Sequence, residues 1–226
     1  MKKKINDNII LIGTGHIIPD SIEEVKKEIL KEKPDIIGVE LDNLRYQFLK
    51  NDSNEKGGIP QSLSEIIQGT LRVFQKIIGN QIGGVQQGDD MKMAIKSAKY
   101  IDSEILLMDQ NIQTTINKIK RKITKEEKIR LILSLLLIPF SLPFLTKKTK
   151  INQLTKNEEK VQKKMLKIKK EYPSIYKILI KERNNIMSKK IIKIIKNEKF
   201  DKIVAVMGAG HISGVYNNLQ KWNKLK

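Results

Sequence analysis

The sequence predicts an α/β protein with a largely parallel central sheet, and three observations predict it. First, four short apolar runs, at 9–12, 36–41, 105–108 and 203–207, alternate with segments whose apolar residues recur at helical spacing. That alternation is the pattern of strand–helix–strand units. Second, each run is followed closely by reactive or charged side chains: His16, then Glu40 with Asp42, then Asp109, then His211. Open parallel sheets bind ligands beyond the carboxyl ends of their strands, so these four ends predict one shared site. Third, the first and last runs end alike, "IILIGTGHI" at 9–17 and "VAVMGAGHISG" at 204–214. This predicts two pseudo-equivalent strand–GxGH elements, and His16 and His211 are the two histidines of the chain.

The elements follow in order. After the first strand, Asp20 or Ser21 caps a helix through Lys31, with Glu23 and Glu24 favouring its N-terminus. "KPD" breaks it, and 36–41 ("IIGVEL") is a buried strand. Asp42 or Asn43 caps a short helix ending near Lys50, "NDSNEKGG" is a loop, and 62–79 is a long amphipathic helix. The glycine-rich "GGVQQGDD" leads into a helix started by Asp89 or Asp90, with Asp89 read as its cap. A third strand at 105–108 ends at Asp109, and a helix covers 114–122. Residues 124–199 read as helical and rich in lysine, 203–207 is the fourth strand, and a last helix follows Ser213. The whole, 1–226, reads as a single domain carrying a lysine-rich helical insertion at about 118–199.

Composition narrows the function classes. With 39% hydrophobic residues and 5% aromatics, the core is built from Ile, Leu and Val. Cysteine is absent, which excludes disulfides and thiolate metal sites and fits a reducing compartment. The net charge of +19 attracts anionic partners. Arginine-rich base-reading and aromatic stacking signatures are missing, so the expectation is no nucleic acid and, as the better anionic partner, an anionic membrane surface. The apolar run after Met1–Lys4 breaks after four residues, too short for a signal peptide, so the expected location is cytoplasmic or membrane-associated. Residues 131–145, "LILSLLLIPFSLPFL", are too few to span a bilayer and carry Pro139 and Pro143. They read as an interfacial or re-entrant segment, a buried helix end, or a face packed on another subunit. The apolar spacing in 155–199 fits packing on the sheet or a homodimer face.

Glycine before a histidine permits a tight turn and close approach of a ligand, which gives Gly13, Gly15, Gly208 and Gly210 their candidate role. Two imidazoles with nearby carboxylates suit a divalent metal with N/O ligands, Zn, Mn or Co, able to activate water. Glu40 or Asp90 then serves as ligand or general base. Blander readings stand beside this. The histidines could cap or brace loops, Arg45 could pair with an acid of its own helix, and Arg183 could be a solvated helix residue. A dinucleotide fingerprint is disfavoured, because "GAGHISG" spaces its third glycine one residue too far and "GTGHIIPD" lacks it.

The motifs together resemble the TraB/PrgY pheromone-shutdown family, within the wider group of Tiki, erythromycin-esterase-like and ChaN-like proteins, over nearly the whole chain. The matching residues are "GTGHI" at 13–17, "PDIIGVELDNLR" at 34–45, Gly88 to Met91, Asp109, Glu182 with Arg183 and Met187, and "GAGHISG" at 208–214. Asp90 stands where the family pattern has Glu, and Gln110 where it has Arg. The resemblance implies a metal-dependent peptidase activity, as in Tiki-type members, or a reduction of secreted peptide pheromone activity, as in PrgY-type members. In the reading built on it, His16, His211 and Asp90 bind the metal, Glu40 is a ligand or the general base, and Arg45 and Arg183 are the catalytic guanidiniums that hold a substrate carboxylate or a developing oxyanion. Asp42, Asp109 and Glu182 belong to the surrounding site. Many members carry membrane segments after the second motif, which here lies close to Lys226. A soluble form or a shortened chain is therefore expected. The leading expectation is a metallo-hydrolase acting on peptides. Two alternatives are a non-catalytic protein that sequesters a peptide or cofactor, and a structural module whose histidines brace loops.

Overall fold

A computed structural model of the chain describes residues 1–14, 19–51, 88–136, 158–196 and 200–225. The predicted loop after Asn51, the helix at 62–79, most of 131–145, and both Gly15 and His16 lie outside the described residues.

Five strands form one mixed sheet: β1 (Lys2–Asn6), β2 (Ile9–Thr14), β3 (Ile36–Val39), β4 (Glu104–Leu107) and β5 (Ile203–Gly208), in the spatial order β1-β2-β5-β3-β4. β2, β5, β3 and β4 run parallel and β1 is antiparallel at one edge. The four predicted strands are therefore present and parallel. The edge strand β1 is an addition, because the lysines of "KKKIN" do not read as a strand. It forms because its partner β2 offers a complete ladder and its lysines reach outward to acids. Lys2 Nζ lies 2.9 Å from Glu32 Oε1, also pairs with Glu28, and Lys3 pairs with Glu158.

The apolar runs are continuous because both faces of the sheet are covered. Ile10, Ile12, Ile37, Val39, Val204 and Val206 point to one face. There they meet Val25 and Ile29 of α1 (Pro19–Glu32) and Met91, Ala94, Ile95 and Ala98 of α3 (Asp89–Tyr100). The alternate residues Ile9, Leu11, Ile36, Ile203, Ala205 and Met207 meet Met187 and Ile191 of α8 (Arg183–Ile195) and Ile212, Val215 and Leu219 of α9 (Ala209–Asn223) on the other. Each fully buried isoleucine contributes roughly 1.5–3 kcal/mol of hydrophobic stabilisation, which fixes the strand register and so the position of every strand end.

The remaining helices are α2 (Asn43–Asn51), α4 (Ile112–Lys122), α5 (Lys125–Leu136) and α6 (Glu158–Glu171). A continuous helical rod then runs from α7 (Pro173–Tyr176) through a π-helical stretch (Lys177–Glu182) into α8. These helices share a smaller core of Tyr172, Ile175, Leu179 and Ile180 with Ile119, Ile123, Leu131 and Met165 packed against it. Among the described residues no helix is long and apolar enough to cross a membrane.

Two boundaries differ from expectation. The last helix starts at Ala209, not after Ser213, so "AGHISG" is its first turn and a half. β5 feeds directly into it, with Gly208 in extended backbone (φ −59°, ψ 141°) as the N-cap. Asp89 is not the cap of α3 either. Gly88 takes that position at φ 100°, a conformation open to glycine at little cost, and Asp89 sits in the first turn.

Candidate functional site

The carboxyl ends of β2, β5, β3 and β4 lie side by side, and several of the buried polar residues described collect there. Glu40 and Asp42 follow β3, Asp109 follows β4, and His211 rides on the first turn of α9 after β5. Arg45 projects from α2 and Arg183 begins α8.

Arg183 is the centre of the cluster. Its Nε donates to both oxygens of Asp109, at 2.9 and 3.1 Å. Its Nη2 donates to Asp109 Oδ2 at 2.5 Å and also to Glu40 Oε1, and its Nη1 donates to the Leu179 carbonyl at 3.2 Å. Arg45 Nη2 donates to the same Asp109 Oδ2 at 2.6 Å. Asp42 caps α2 by accepting from the Arg45 backbone N–H at 2.8 Å, and its other oxygen accepts from the Ile112 N–H at 2.5 Å, tying α2 to α4. Bidentate guanidinium–carboxylate pairs of this kind fix position as well as charge. Arg183 is thus buried rather than solvated, and Arg45 reaches beyond its own helix.

The electrostatics follow. Burial opposes ionisation of Asp109, but the Arg183 guanidinium overrides it with help from Arg45, and its carboxyl is held below the ordinary 3.8. Burial opposes the charge of Arg183 too, and Asp109 and Glu40 hold its pKa above the ordinary value. Lys190 Nζ donates to the Leu107 and Asp109 carbonyls at 2.9 and 2.8 Å, closing the end of β4. Burial lowers its pKa against the pull of the Asp109 and Asp42 carboxylates.

His211 is 3% exposed and is held from both sides. Its Nδ1 lies 2.6 Å from Asn184 Oδ1, and its Nε2 lies 3.3 Å from Glu40 Oε1. Asn184 Oδ1 is an acceptor, so the ring proton of a neutral imidazole sits on Nδ1. Nε2 and Glu40 Oε1 lie at ion-pair distance, 3.3 Å apart. The other Glu40 oxygen accepts from the Gly208 N–H at 2.6 Å, at the positive end of α9.

Asp90 is fully buried at the start of α3, where Oδ2 accepts from the Thr14 hydroxyl and Oδ1 from the Met91 N–H at 2.9 Å. It therefore anchors the last residue of β2, two positions before His16. Glu182 faces outward to Lys118 Nζ at 2.7 Å. The glycines play a packing part. A Cβ on Gly13 would lie 2.5 Å from Ile212 Cγ1, on Gly210 3.2 Å from Met165 Sδ, and on Gly214 2.0 Å from Asn184 Nδ2. None of the three has a positive φ, so at Gly13 and Gly214 closeness between β2, α8 and α9, rather than turn freedom, requires glycine.

Sequence reasoning singled out Glu40, Asp42, Arg45, Asp109, Arg183 and His211, and the fold brings these six into one network. It overlooked Asn184, Thr14 and Lys190. Asn184 could have been found as the neighbour of Arg183 in "KERNNIM". The π-helical turn before Arg183 has no sequence signal, yet such turns collect at functional sites. Among the described residues no three His, Asp or Glu side chains group to hold a metal. His211 Nε2 and Glu40 Oε1 supply two convergent N/O donors of the type that Mn, Co and Zn accept.

These features define an α/β protein with a buried, charge-paired polar site at the carboxyl ends of its parallel strands. The chain belongs to the TraB/PrgY/gumN family, whose sequence profile matches residues 2–224. It is 34% identical over 220 residues to the uncharacterized protein MJ1365 of Methanocaldococcus jannaschii, covering 95% of this chain and 54% of that protein. It is 21% identical over 240 residues to the human TraB domain-containing protein, and 22% over 241 residues to the mouse one, covering 93% of this chain and 62% of either relative. The chain thus spans a little over half the length of these relatives.

Proposed function

We propose that this protein is a metal-dependent hydrolase of peptides, with its centre between His211 and Glu40. The observation that carries the reading is the facing pair: His211 Nε2 and Glu40 Oε1 are 3.3 Å apart, with Nδ1 already committed to Asn184. An imidazole oriented through its other ring nitrogen is how proteins present a metal ligand. β2 and β5 are adjacent, with Thr14 paired to Gly208, so the described end of β2 lies beside the end of β5. His16 is the further donor in this reading, and Asp90 holds its strand end through Thr14.

A bound Mn, Co or Zn supplies an activated water and polarises the scissile carbonyl. The chain's own residues would hold that group: Glu40 shares it with His211, and its other oxygen is fixed by the Gly208 N–H. Arg183 holds Glu40 Oε1 in place, and Asp109 and Arg45 hold Arg183. With its guanidinium engaged by Asp109, Glu40 and Leu179, Arg183 acts as a positioning residue, not as a clamp on substrate.

The test is incubation of the full chain with a peptide mixture and each of the three metals, read by mass spectrometry, beside His211→Ala and Glu40→Gln. Cleavage present in the native protein and lost in both variants supports the reading. Peptide binding without cleavage under all three metals replaces it with sequestration.

A further inference from the structure

Outside the buried cluster, the described surface carries a cavity with a basic lining. It has a volume of about 350 Å³ and is lined by Thr114, Asn117, Lys118, Arg121 and Lys122. These positions follow the i, i+3, i+4, i+7, i+8 rule, so they form one stripe of α4. Three cations in so small a space meet one carboxylate, Glu182, which lies 2.7 Å from Lys118 Nζ and 3.9 Å from Lys122 Nζ. Arg121 is exposed and has no acidic partner among the described residues.

The stripe is joined to the site. Lys118 Nζ lies 3.4 Å from Gln110 Oε1, and the Gln110 N–H donates to Asp109 Oδ1 at 2.8 Å. Glu182 directly precedes Arg183. The basic stripe therefore abuts the residues that flank the Asp109–Arg183 pair.

We propose that this stripe is a recognition subsite for acidic side chains of the peptide substrate, a reading that rests on the proposed peptide chemistry of the neighbouring site. The geometry selects a peptide. One helical turn separates Lys118 from Lys122, about 6 Å along the axis. Carboxylates two residues apart on one side of an extended peptide are spaced by about 6.8 Å. The Arg121 fork matches a carboxylate in bidentate geometry. The lining holds no aromatic ring on which a base could stack.

The experiment is calorimetric titration of the full chain with two capped heptapeptides that differ in having Asp-Ala-Asp or Asn-Ala-Asn at their centre. Three proteins are compared at about 0.1 M salt: native, Arg121→Gln/Lys122→Gln, and the control Lys26→Gln/Lys27→Gln, whose exposed lysines lie on α1. Both double variants lower the net charge by the same two units, from +19 to +17. The acidic peptide is expected to bind at least about tenfold more tightly than its amide counterpart to the native and control proteins, and less than about threefold more tightly to the Arg121/Lys122 variant. Equal affinity of the two peptides for native protein overturns the proposal. So does an equal loss of preference in the control, because net charge then explains the binding. Binding heat is independent of turnover. A preference without cleavage leaves the subsite standing and sinks the hydrolase reading, and cleavage without a preference does the reverse.

Discussion

His211 Nδ1 and Asn184 Oδ1 lie 2.6 Å apart and lock together the first turn of α9 and the first turn of α8. The contact fixes the imidazole tautomer and aims Nε2 at Glu40. Replacing Asn184 by Ala frees the ring while leaving the sheet core intact. The expected outcome is a 10- to 100-fold loss of metal affinity, the usual cost of losing such an outer partner, with a thermal midpoint shifted by only a few degrees. Calorimetric metal titration beside a melting curve checks it.

Gly214 is coupled to the same contact. A Cβ there would lie 2.0 Å from Asn184 Nδ2, so Gly214→Ala must push the amide away from His211. The variant should reproduce the metal defect of Asn184→Ala, and adding Asn184→Ala to it should bring little further loss. Additive losses in the double variant would show that Gly214 acts elsewhere.

Arg183→Met strips Asp109 of its main partner and leaves Glu40 buried beside His211 without its guanidinium. Breaking one side of a buried ion pair costs about 3–5 kcal/mol, to be read from urea unfolding at neutral pH. The pH sign follows from the direction of the Asp109 shift. Its folded pKa lies below the ordinary 3.8, so its contribution is complete above 3.8 and is lost as pH falls from there through the folded value. Asp109→Asn should flatten that acid limb of the stability curve.

The far end of the sheet offers an independent check. Lys2, then Lys202 and Lys4, hold the Glu32 carboxyl down to about 2. Because this folded pKa is depressed, its stabilisation is present above the ordinary 4.5 and disappears between 4.5 and about 2. Glu32→Gln should lower stability at pH 7 by roughly 1 kcal/mol and remove the part of the pH dependence in that window. Denaturation at pH 7, 4 and 2.5 measures both.

Much of the fold was legible because the buried strands leave an unambiguous trace. "IILI", "IIGV" and "IVAVM" are apolar without alternation, as strands covered on both faces must be. Glu40, Asp109 and His211 were legible as a site because parallel strands end on one edge, so reading the strands placed their ends together. What sequence could not show has physical reasons. β1 forms from lysines through distant acids on α1 and α6. The start of α9 at Ala209 was hidden because "GAGH" looks like a loop, whereas its glycines are there to let helix and strand approach. The partners of Arg183 are set by packing, and no local pattern separates a guanidinium that holds a substrate from one that holds a carboxylate.

The central claim is that the His211–Glu40 pair holds a metal, and the most direct measurement is metal content and affinity. Elemental analysis and calorimetry with Mn, Co and Zn should be run on the native chain and on the His16→Ala/His211→Ala variant. The account predicts close to one metal ion per native chain and none in the variant, with both proteins folded. A native chain that takes up none of the three ions, or a variant that binds as well as the native protein, would contradict it.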